Sequence, residues 1–307
     1  MTPKIYIDGA EGTTGLQIHE RLGARRDIEL LCIADALRKD TAERRRLINA
    51  ADLVFLCLPD AAAVEAVALI DNPHTRVIDA STAHRVADGW VYGLPELSGA
   101  QRDAVRAARF VANPGCHATG AIMLLSPLVA KGVVPQDFPV VITSLTGYTG
   151  GGKKMIAEYE TADRGERWDL NAPRAYGLAG NHKHLPEITR YAGLSQPPAF
   201  VPIVADYPQG MQVIIPLAMP RKSEMLQVLQ AHYADCRNVD VLGESGAFEP
   251  SNVNADRDRV TLRVVGNDAI PILTAQFNNL GKGASGAAVQ NMNLMLGFDE
   301  YAGLNLE

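Results

Sequence analysis

The chain is organised around the stretch FVANPGCHATG, residues 110–120. Asn113-Pro114-Gly115 is strong turn punctuation between a short apolar strand and a helix of small and apolar residues. The turn places Cys116 at the helix N-terminus, where unpaired backbone N–H groups favour an anion and shift a thiol toward the reactive thiolate. The same N–H groups can hold a developing oxyanion. Cys116 is therefore either a nucleophile or, like most free cysteines, a small buried side chain.

Length and composition set the first limits on the class of protein. The chain has 307 residues, of which 47% are hydrophobic, and a formal net charge of -6. That is enough chain for two domains or one large one, and the composition argues against disorder. The acidic balance argues against nucleic acid as a partner. Because we find neither a leader pattern nor an apolar run of membrane-spanning length, we expect a soluble, cytoplasmic protein.

The cysteines and the one basic run carry little further signal. Cys32, Cys57, Cys116 and Cys236 form no C-x-x-C pair and no zinc spacing, so we expect free thiols in a reducing compartment. Cys32 and Cys57 lie in apolar, strand-like runs, which predicts that both belong to the core. Residues 44–46, RRR, precede a helical apolar pattern and are interpreted as a solvated helix face.

The first strand, residues 4–8, runs into the glycine turn GAEGTTG at residues 9–15 and then a helix. This order lets backbone N–H groups meet a pyrophosphate, although the spacing G-x-x-G-x-x-G also fits a plain strand–helix turn. Asp35, 20 residues after Gly15, is placed to hold an adenosine ribose hydroxyl. Arg38 and Lys39 follow at once and suit a 2′-phosphate, unless they only line an exposed loop.

Two domains follow from the order of elements. Apolar strands alternate with helices up to Cys116, which predicts a parallel, doubly wound α/β domain whose polar strand end, residues 81–85, lies on the ligand side. Later strands predict a second, α+β domain with a mixed or antiparallel sheet. We place the dinucleotide-binding domain at residues 1–115, with the helix at 285–307 returning to it. The catalytic, substrate and oligomerisation domain is residues 116–284.

Two stretches of the second domain suggest chemistry. In HKHLPEI, residues 182–188, Glu187 follows His184 by three positions and can turn back toward its ring, which would orient a general acid–base. Metal binding and satisfied structural histidines are the alternatives, and no third or fourth metal ligand is evident. The stretch TGYTGGGKK, residues 146–154, predicts a loop that wraps an anionic ligand, or a flexible surface loop.

Three motifs together resemble one known family. They are NPGC at 113–116, HKHLPE at 182–187 and NLGKGASG at 279–286, and they resemble the shorter sequence type of N-acetyl-γ-glutamyl-phosphate reductases. The resemblance implies a Rossmann dinucleotide-binding domain joined to a catalytic domain like that of glyceraldehyde-phosphate and aspartate-semialdehyde dehydrogenases. It also implies NADPH-dependent reduction of an acyl phosphate to an aldehyde through a Cys116 thioester, within arginine biosynthesis. His184, with Glu187, matches the family's acid–base histidine.

The expected site residues fall into three groups. The catalytic residues are Cys116, His184 and Glu187. The residues expected to bind NADP(H) are Gly9, Gly12, Thr13, Thr14, Gly15, Arg38, Lys39, Pro59, Asn279 and Gly283. The residues expected to bind substrate are Ser81, Arg85, Asn113, Gly150, Lys153 and His182. We expect no metal, no nucleic acid and no membrane, but a small acyl phosphate, inorganic phosphate and a homo-oligomer, either dimer or tetramer.

Three alternative functions remain open on the sequence. The first is a related reductase acting on aspartyl or aminoadipyl phosphate, which would share the nucleotide site and Cys116. The second is a thiol hydrolase or acyltransferase that never binds a dinucleotide. The third is a non-catalytic NADP-binding regulator with an inert Cys116.

Overall fold

A computed structural model describes residues 2–307. Within it the chain forms two compact units. The first unit runs to Pro114 and also includes Ala284–Leu304, whereas the second comprises Gly115–Gly283 and Asn305–Glu307.

The first unit is built on a parallel sheet. Its elements up to Pro114 are β1 (Lys4–Asp8), α1 (Thr13–Gly23), β2 (Glu29–Leu31), α2 (Thr41–Ala50), β3 (Leu53–Leu56), α3 (Asp60–Val67), β4 (Arg76–Asp79), β5 (Val91–Tyr92), α4 (Gly99–Ala107) and β6 (Phe110–Ala112). The strand order is β2-β1-β3-β4-β6-β5, and every neighbouring pair is parallel. All four residues of β3 are buried, because helices cover both faces of such a sheet.

The second unit is built on a mixed sheet. Its elements are α5 (Cys116–Ala130), β7 (Val141–Gly147), α6 (Gly152–Thr161), β8 (Arg174–Ala175), α7 (Leu185–Ala192), β9 (Ala199–Ala205), β10 (Met211–Pro216), α8 (Lys222–Tyr233), β11 (Val239–Leu242), β12 (Val260–Gly266) and β13 (Pro271–Phe277). The strand order is β11-β12-β13-β10-β7-β9-β8. β11–β12 and β7–β9 are parallel pairs, and the other four pairs are antiparallel.

Helix α5 is the core helix of the second unit. It is apolar on nearly every side, and 12 of its 15 residues are buried, so it cannot be a surface helix. Gly120 permits its close packing, because a Cβ there would lie 2.7 Å from both Phe277 and Val213 of the sheet. The Tyr233 hydroxyl of α8 donates to the carbonyl of Met123 at 2.7 Å. The first residue of α5 is therefore held by a rigid element.

The last helix, α9 (Gly286–Leu296), belongs to the first unit. Its residues Ala288, Val289 and Met292 join the apolar layer that contains Ile5 and Ile78 of the parallel sheet. A π-helical turn, Gly281–Ser285, precedes it.

Several local predictions were wrong. The second strand ends at Leu31, and Cys32, beyond the last paired residue of an edge strand, is exposed rather than part of the core. Residues 152–154 are not in a loop: Gly152, at φ +75°, opens α6. The short strands β5, β8 and β11 escaped prediction. Within residues 2–307 no helix has the length and apolarity needed to cross a membrane.

Candidate active site

The glycine turn of the first unit has the shape that a phosphate group requires. Gly9 lies at φ +87°, and a Cβ there would come within 2.4 Å of the Cys57 carbonyl oxygen. A Cβ on Gly15 would lie 2.3 Å from the Gly9 carbonyl oxygen. Gly12 precedes α1 without any side-chain cap, so the first backbone N–H groups of the helix remain available.

Thr13, the first residue of α1, carries an orphaned polar atom. Its hydroxyl oxygen is buried and has no hydrogen-bond partner among residues 2–307. A buried polar atom without a partner is costly unless a ligand satisfies it. Beside the free helix N-terminus, this hydroxyl fits a phosphate oxygen, so the residues present suit a dinucleotide.

A cavity of about 590 Å³ extends from this turn. Gly9, Asp35, Arg38 and Lys39 line it, and therefore the structure brings three of the expected cofactor residues together. The Asp35 side chain is 90% exposed, and Arg38 forms an ion pair with Glu11 of the glycine turn. Of the remaining expected residues, Thr14 lies in the first turn of α1 and Pro59 precedes α3.

Arg44 also lines this cavity, although the sequence pattern predicts a solvated helix face at residues 44–46. Its guanidinium donates to the buried Asp8 carboxylate at 2.8 Å, and only 13% of its side chain is exposed. The solvated-face interpretation of residues 44–46 was therefore wrong for Arg44, although Arg45 and Arg46 are 49% and 63% exposed. The helical repeat turns Arg44 inward, and a charged residue ending a buried strand, Asp8, was the overlooked signal.

Three of the expected substrate residues lie in the first unit, within hydrogen-bond networks. The Ser81 hydroxyl donates to Asp79 at 2.6 Å. Arg85 is buried and donates to the carbonyl oxygens of Asn113 and Ala80 at 3.0 and 3.1 Å. The Asn113 amide donates to the Ala284 carbonyl at 3.0 Å. These contacts order the chain after β4 and β6.

Cys116 is the first residue of α5 and is half-buried. Gly115 precedes the helix without a side-chain cap, and its N–H donates to the Glu187 carboxylate at 3.1 Å. A Cβ on Gly283 would lie 2.9 Å from the Cys116 Cβ, which requires a residue without a side chain at position 283. The thiol is thus held at a helix N-terminus that one buried carboxylate already contacts.

Three histidine rings gather in the second unit, and one of them, His117, directly follows Cys116 in the chain. His184 precedes α7 and is buried, and its N–H donates to His182 Nδ1 at 3.2 Å. The two rings meet edge to face, with centroids 4.8 Å apart. The His117 ring lies 5.6 Å from each of them. Within residues 2–307, no three His, Cys, Asp or Glu side chains form a group that could hold a metal ion.

His117 was missed by the sequence analysis, although it directly follows Cys116. Its ring is 2% exposed, and its two nitrogens contact the Ser144 hydroxyl at 2.7 Å and the Tyr176 hydroxyl at 2.8 Å. Burial, then the charges of His182 and Lys183, lowers the pKa of His117 from 6.5 to about 3. The ring is therefore neutral at neutral pH. Burial, then the charge of Cys116, raises the pKa of Tyr176, so its phenol keeps its proton.

The remaining expected residues also lie in the second unit. The buried Asn279 side chain accepts from the Gly210 N–H at 2.9 Å and donates to Thr149 at 3.3 Å. A Cβ on Gly150 would lie 3.3 Å from the same amide nitrogen. Lys153 is exposed on α6. Asn279 therefore stabilises the turn at Thr149, which leads into α6.

Two family models match this chain. One, described as semialdehyde dehydrogenase, NAD binding domain, matches residues 4–106. The other, described as semialdehyde dehydrogenase, dimerisation domain, matches residues 116–278. The protein is thus an oxidoreductase of the semialdehyde dehydrogenase class that uses a dinucleotide of the NAD(P) type.

Curated relatives narrow the class. An N-acetyl-gamma-glutamyl-phosphate reductase of Chelativorans sp. (strain BNC1) is 49% identical over 313 residues, covering 96% of this chain and 99% of the relative. One from Burkholderia lata is 46% identical and covers 98% of both chains. The chain belongs to the family of N-acetyl-gamma-glutamyl-phosphate reductases, as the three motifs predicted.

Solved structures share the fold. Aspartate semialdehyde dehydrogenase II complexed with ASA from Vibrio cholerae matches with a TM-score of 0.72 at 13% identity, covering 96% of this chain and 98% of that one. A probable aspartate-semialdehyde dehydrogenase from Pseudomonas aeruginosa gives 0.71 at 18% identity, with 96% and 99% coverage. The predicted fold class, a Rossmann-like parallel sheet and a second unit with a mixed sheet, is confirmed.

Proposed function

We propose that this chain reduces N-acetyl-γ-glutamyl phosphate with NADPH, giving N-acetyl-glutamate 5-semialdehyde and phosphate, as a cytoplasmic step of arginine biosynthesis. The observation that carries the chemistry is Cys116 at the first position of a buried helix, with His184 and Glu187 in the same unit. The substrate is inferred from relatives up to 49% identical, which are named N-acetyl-gamma-glutamyl-phosphate reductases.

The first step is attack by the Cys116 thiolate on the acyl carbon. A C–S bond forms, the carbonyl oxygen takes the negative charge, and the C–O bond to phosphate then breaks with its electron pair on the departing oxygen. The N-terminus of α5 favours both the thiolate and the oxyanion. A thioester on Cys116 remains, and resonance stabilises its carbonyl less than that of an ester.

The second step is reduction of that thioester. NADPH, when bound, supplies the hydride that adds to the thioester carbon. Hydride addition leaves a thiohemiacetal oxyanion, and its collapse reforms the C=O bond and breaks the C–S bond with the electron pair on the Cys116 sulfur. His184, which we assign as the acid–base, supplies the proton that this release requires. Glu187 is proposed to orient it, while its carboxylate also holds the Gly115 N–H at 3.1 Å.

The cofactor is proposed to lie on the glycine turn of the first unit. Gly9, Gly12 and Gly15 allow its close approach, and the orphaned Thr13 hydroxyl donates to a phosphate oxygen. Arg38, Lys39 and Arg44 line one cavity together with the carboxylates of Asp8, Glu11 and Asp35, and Arg38 and Arg44 form ion pairs with Glu11 and Asp8. Arg38 and Lys39 are proposed to meet a 2′-phosphate, which favours NADP(H) over NAD(H).

The two compact units support an assignment of domains. The unit that contains β1–β6 and α9 is proposed as the dinucleotide-binding domain, and the unit that contains Cys116 as the catalytic and oligomerisation domain. The family model that matches residues 116–278 describes a dimerisation domain, which supports a homo-oligomer. We propose a dimer or a tetramer.

The test is the reverse reaction, followed as phosphate-dependent reduction of NADP+ with N-acetyl-glutamate semialdehyde. We expect steady-state growth of absorbance only when phosphate, this aldehyde and Cys116 are all present. Growth with aspartate semialdehyde instead would move the proposal to the related reductase. No signal with either aldehyde, while Cys116 still alkylates at neutral pH, would point to a thiol hydrolase.

A further inference from the structure

Ser144, His117 and Tyr176 form a hydrogen-bonded chain, and the charge of Cys116 acts on the phenol at its end. The two nitrogens of one neutral imidazole contact two hydroxyls, at 2.7 Å to Ser144 and 2.8 Å to Tyr176. A neutral imidazole has one N–H donor and one bare acceptor nitrogen, so only one of the hydroxyls can donate to it. The direction of this chain decides what the Tyr176 hydroxyl can do.

Burial fixes that direction. Ser144 has no exposed surface, and among residues 2–307 its hydroxyl has no partner besides His117. If His117 Nδ1 carried the proton, the Ser144 proton would be buried without an acceptor, which is costly. The favoured arrangement has Ser144 donating to Nδ1 and the Nε2–H donating to the Tyr176 oxygen. Tyr176 is half-buried, so its own proton is left to point toward solvent or a ligand.

The groups around Tyr176 indicate which atom its hydroxyl proton can contact. The Cys116 side chain is close enough for its charge to act on the Tyr176 phenol. One donor at the start of α5 is already occupied, because the Gly115 N–H is bonded to Glu187. An oxygen that becomes negative beside Cys116 therefore gains from a further neutral donor.

The geometry points to Tyr176 as a hydrogen-bond donor to the acyl oxygen of the substrate, with His117 and Ser144 as positioning residues that orient its hydroxyl. No proton is transferred: the O–H bond stays intact while the oxyanion forms, first on attack by Cys116 and again on addition of hydride. This inference rests on the proposed acyl-phosphate reduction and adds a donor to that site.

The primary test is Tyr176→Phe, which removes the hydroxyl and keeps the ring. We expect kcat to fall about 100-fold, the usual loss for one oxyanion donor, while KM for the aldehyde changes less than about threefold. A kcat within about threefold of wild type would overturn the inference. If the wild type itself lacked phosphate-dependent NADP+ reduction, the proposed function would fail instead, so the two failures are distinguishable.

Two variants of His117 separate positioning from packing. His117→Gln places an amide nitrogen near the Nε2 position and keeps a donor to Tyr176, whereas His117→Asn reaches only the Nδ1 position. We expect Asn to lose about 100-fold in kcat and Gln to lose less than about tenfold. Urea titrations of both variants check folding, and equal losses of kcat in the two would contradict the positioning role.

A double variant tests most directly whether His117 acts through Tyr176. In the Tyr176→Phe background, His117→Asn should lower kcat no further, because there is no hydroxyl left to orient. If the double variant instead shows the product of the two single losses, His117 acts independently of Tyr176 and the inference is wrong. The ¹⁵N signals of His117 are a readout apart from activity: we expect Nε2 protonated and Nδ1 bare, and the reverse tautomer would contradict the proposed direction.

Discussion

Two helix N-termini are proposed to hold the cofactor phosphate and the nucleophile, and they differ mainly in the side chain of their first residue, not in their backbone. Helix α1 follows Gly12 and α5 follows Gly115, both glycines are extended, and neither helix start has a side-chain cap. The first helical residue is Thr13 in one and Cys116 in the other. Free N–H groups favour an anion at both places. A hydroxyl there can hold a phosphate, whereas a thiol becomes a nucleophile.

The two helices also differ in their support. In α1 the buried residues Ile18 and Leu22 form one stripe, and Leu16 is 48% exposed. Helix α5 is buried on nearly every side. Binding tolerates a helix at the surface, but a nucleophile must be held within a fraction of an ångström. Substitutions at and around the two helix starts should separate these two roles.

Removing the thiol should be the most damaging change. We expect Cys116→Ala to lower kcat at least about 10⁴-fold, because loss of a nucleophile removes the covalent route. The matched control is Cys32→Ala, which alters an exposed thiol and should keep wild-type turnover. Comparable turnover in Cys116→Ala and the control would place the chemistry elsewhere.

Substitution of the two histidines that precede α7 should lower kcat by unequal amounts. We expect His184→Asn to lower kcat about 10²- to 10⁴-fold, the range for a lost general acid–base. His182→Asn should lose far less, because His182 is the half-buried acceptor of the His184 N–H. Steady-state kcat of both variants decides, and equal losses or the opposite order would remove the assignment of His184.

The residues proposed to bind the cofactor should affect its affinity more than turnover. Arg38→Ala should lower kcat/KM with NADPH about 10- to 100-fold, as a charge-assisted contact to a 2′-phosphate is lost. With NADH the change should stay below about threefold. Arg45→Ala is the control, since Arg45 pairs with Asp71 and does not line the cavity. Equal losses with both cofactors would argue against a phosphate contact.

The second residue of α5 should make stability depend on pH. His117 has a pKa of about 3 in the folded protein against an ordinary 6.5, so below 6.5 only the unfolded chain takes up the proton. Folding stability must then fall as pH falls from 6.5 toward 3. Between about pH 7 and pH 5 this residue should account for about 2 kcal/mol.

His117→Gln provides the comparison for that effect. Its free energy of unfolding from urea titrations should decline about 2 kcal/mol less than that of wild type over the same interval of pH. Parallel declines in the two proteins would mean that His117 is protonated in the folded state, against the burial of its ring.

The smallest effect should come from the residue that corresponds to Cys116 in α1. Thr13→Val keeps the shape and removes the orphaned hydroxyl, so KM for NADPH should rise less than about tenfold, with kcat nearly unchanged. Thr13→Ser is the control and should bind as wild type does. A loss of kcat comparable to that of Cys116→Ala would abolish the contrast between the two helix starts.

The sequence predicted those features that depend only on neighbouring residues, such as the starts of α1 and α5. The Asn-Pro-Gly turn predicted Cys116 as the start of a helix, and the glycine turn predicted α1, because both depend on neighbouring residues alone. The partners of buried polar groups could not be predicted: Glu187 reaches a backbone N–H 72 positions away, and His117 reaches Tyr176 across 59. The prediction of a loop at residues 152–154 was wrong because a glycine at positive φ can begin a helix as well as a loop.

The most direct test of the account is to trap the acyl group on Cys116. Enzyme is mixed with NADP+ and N-acetyl-glutamate semialdehyde without phosphate, so the thioester forms and is not released by phosphate. We expect a burst of about one NADPH per active site and an N-acetylglutamyl adduct on the Cys116 peptide by mass spectrometry. An adduct on another residue, or continued turnover without phosphate and without an adduct, would contradict the claim that Cys116 is the nucleophile.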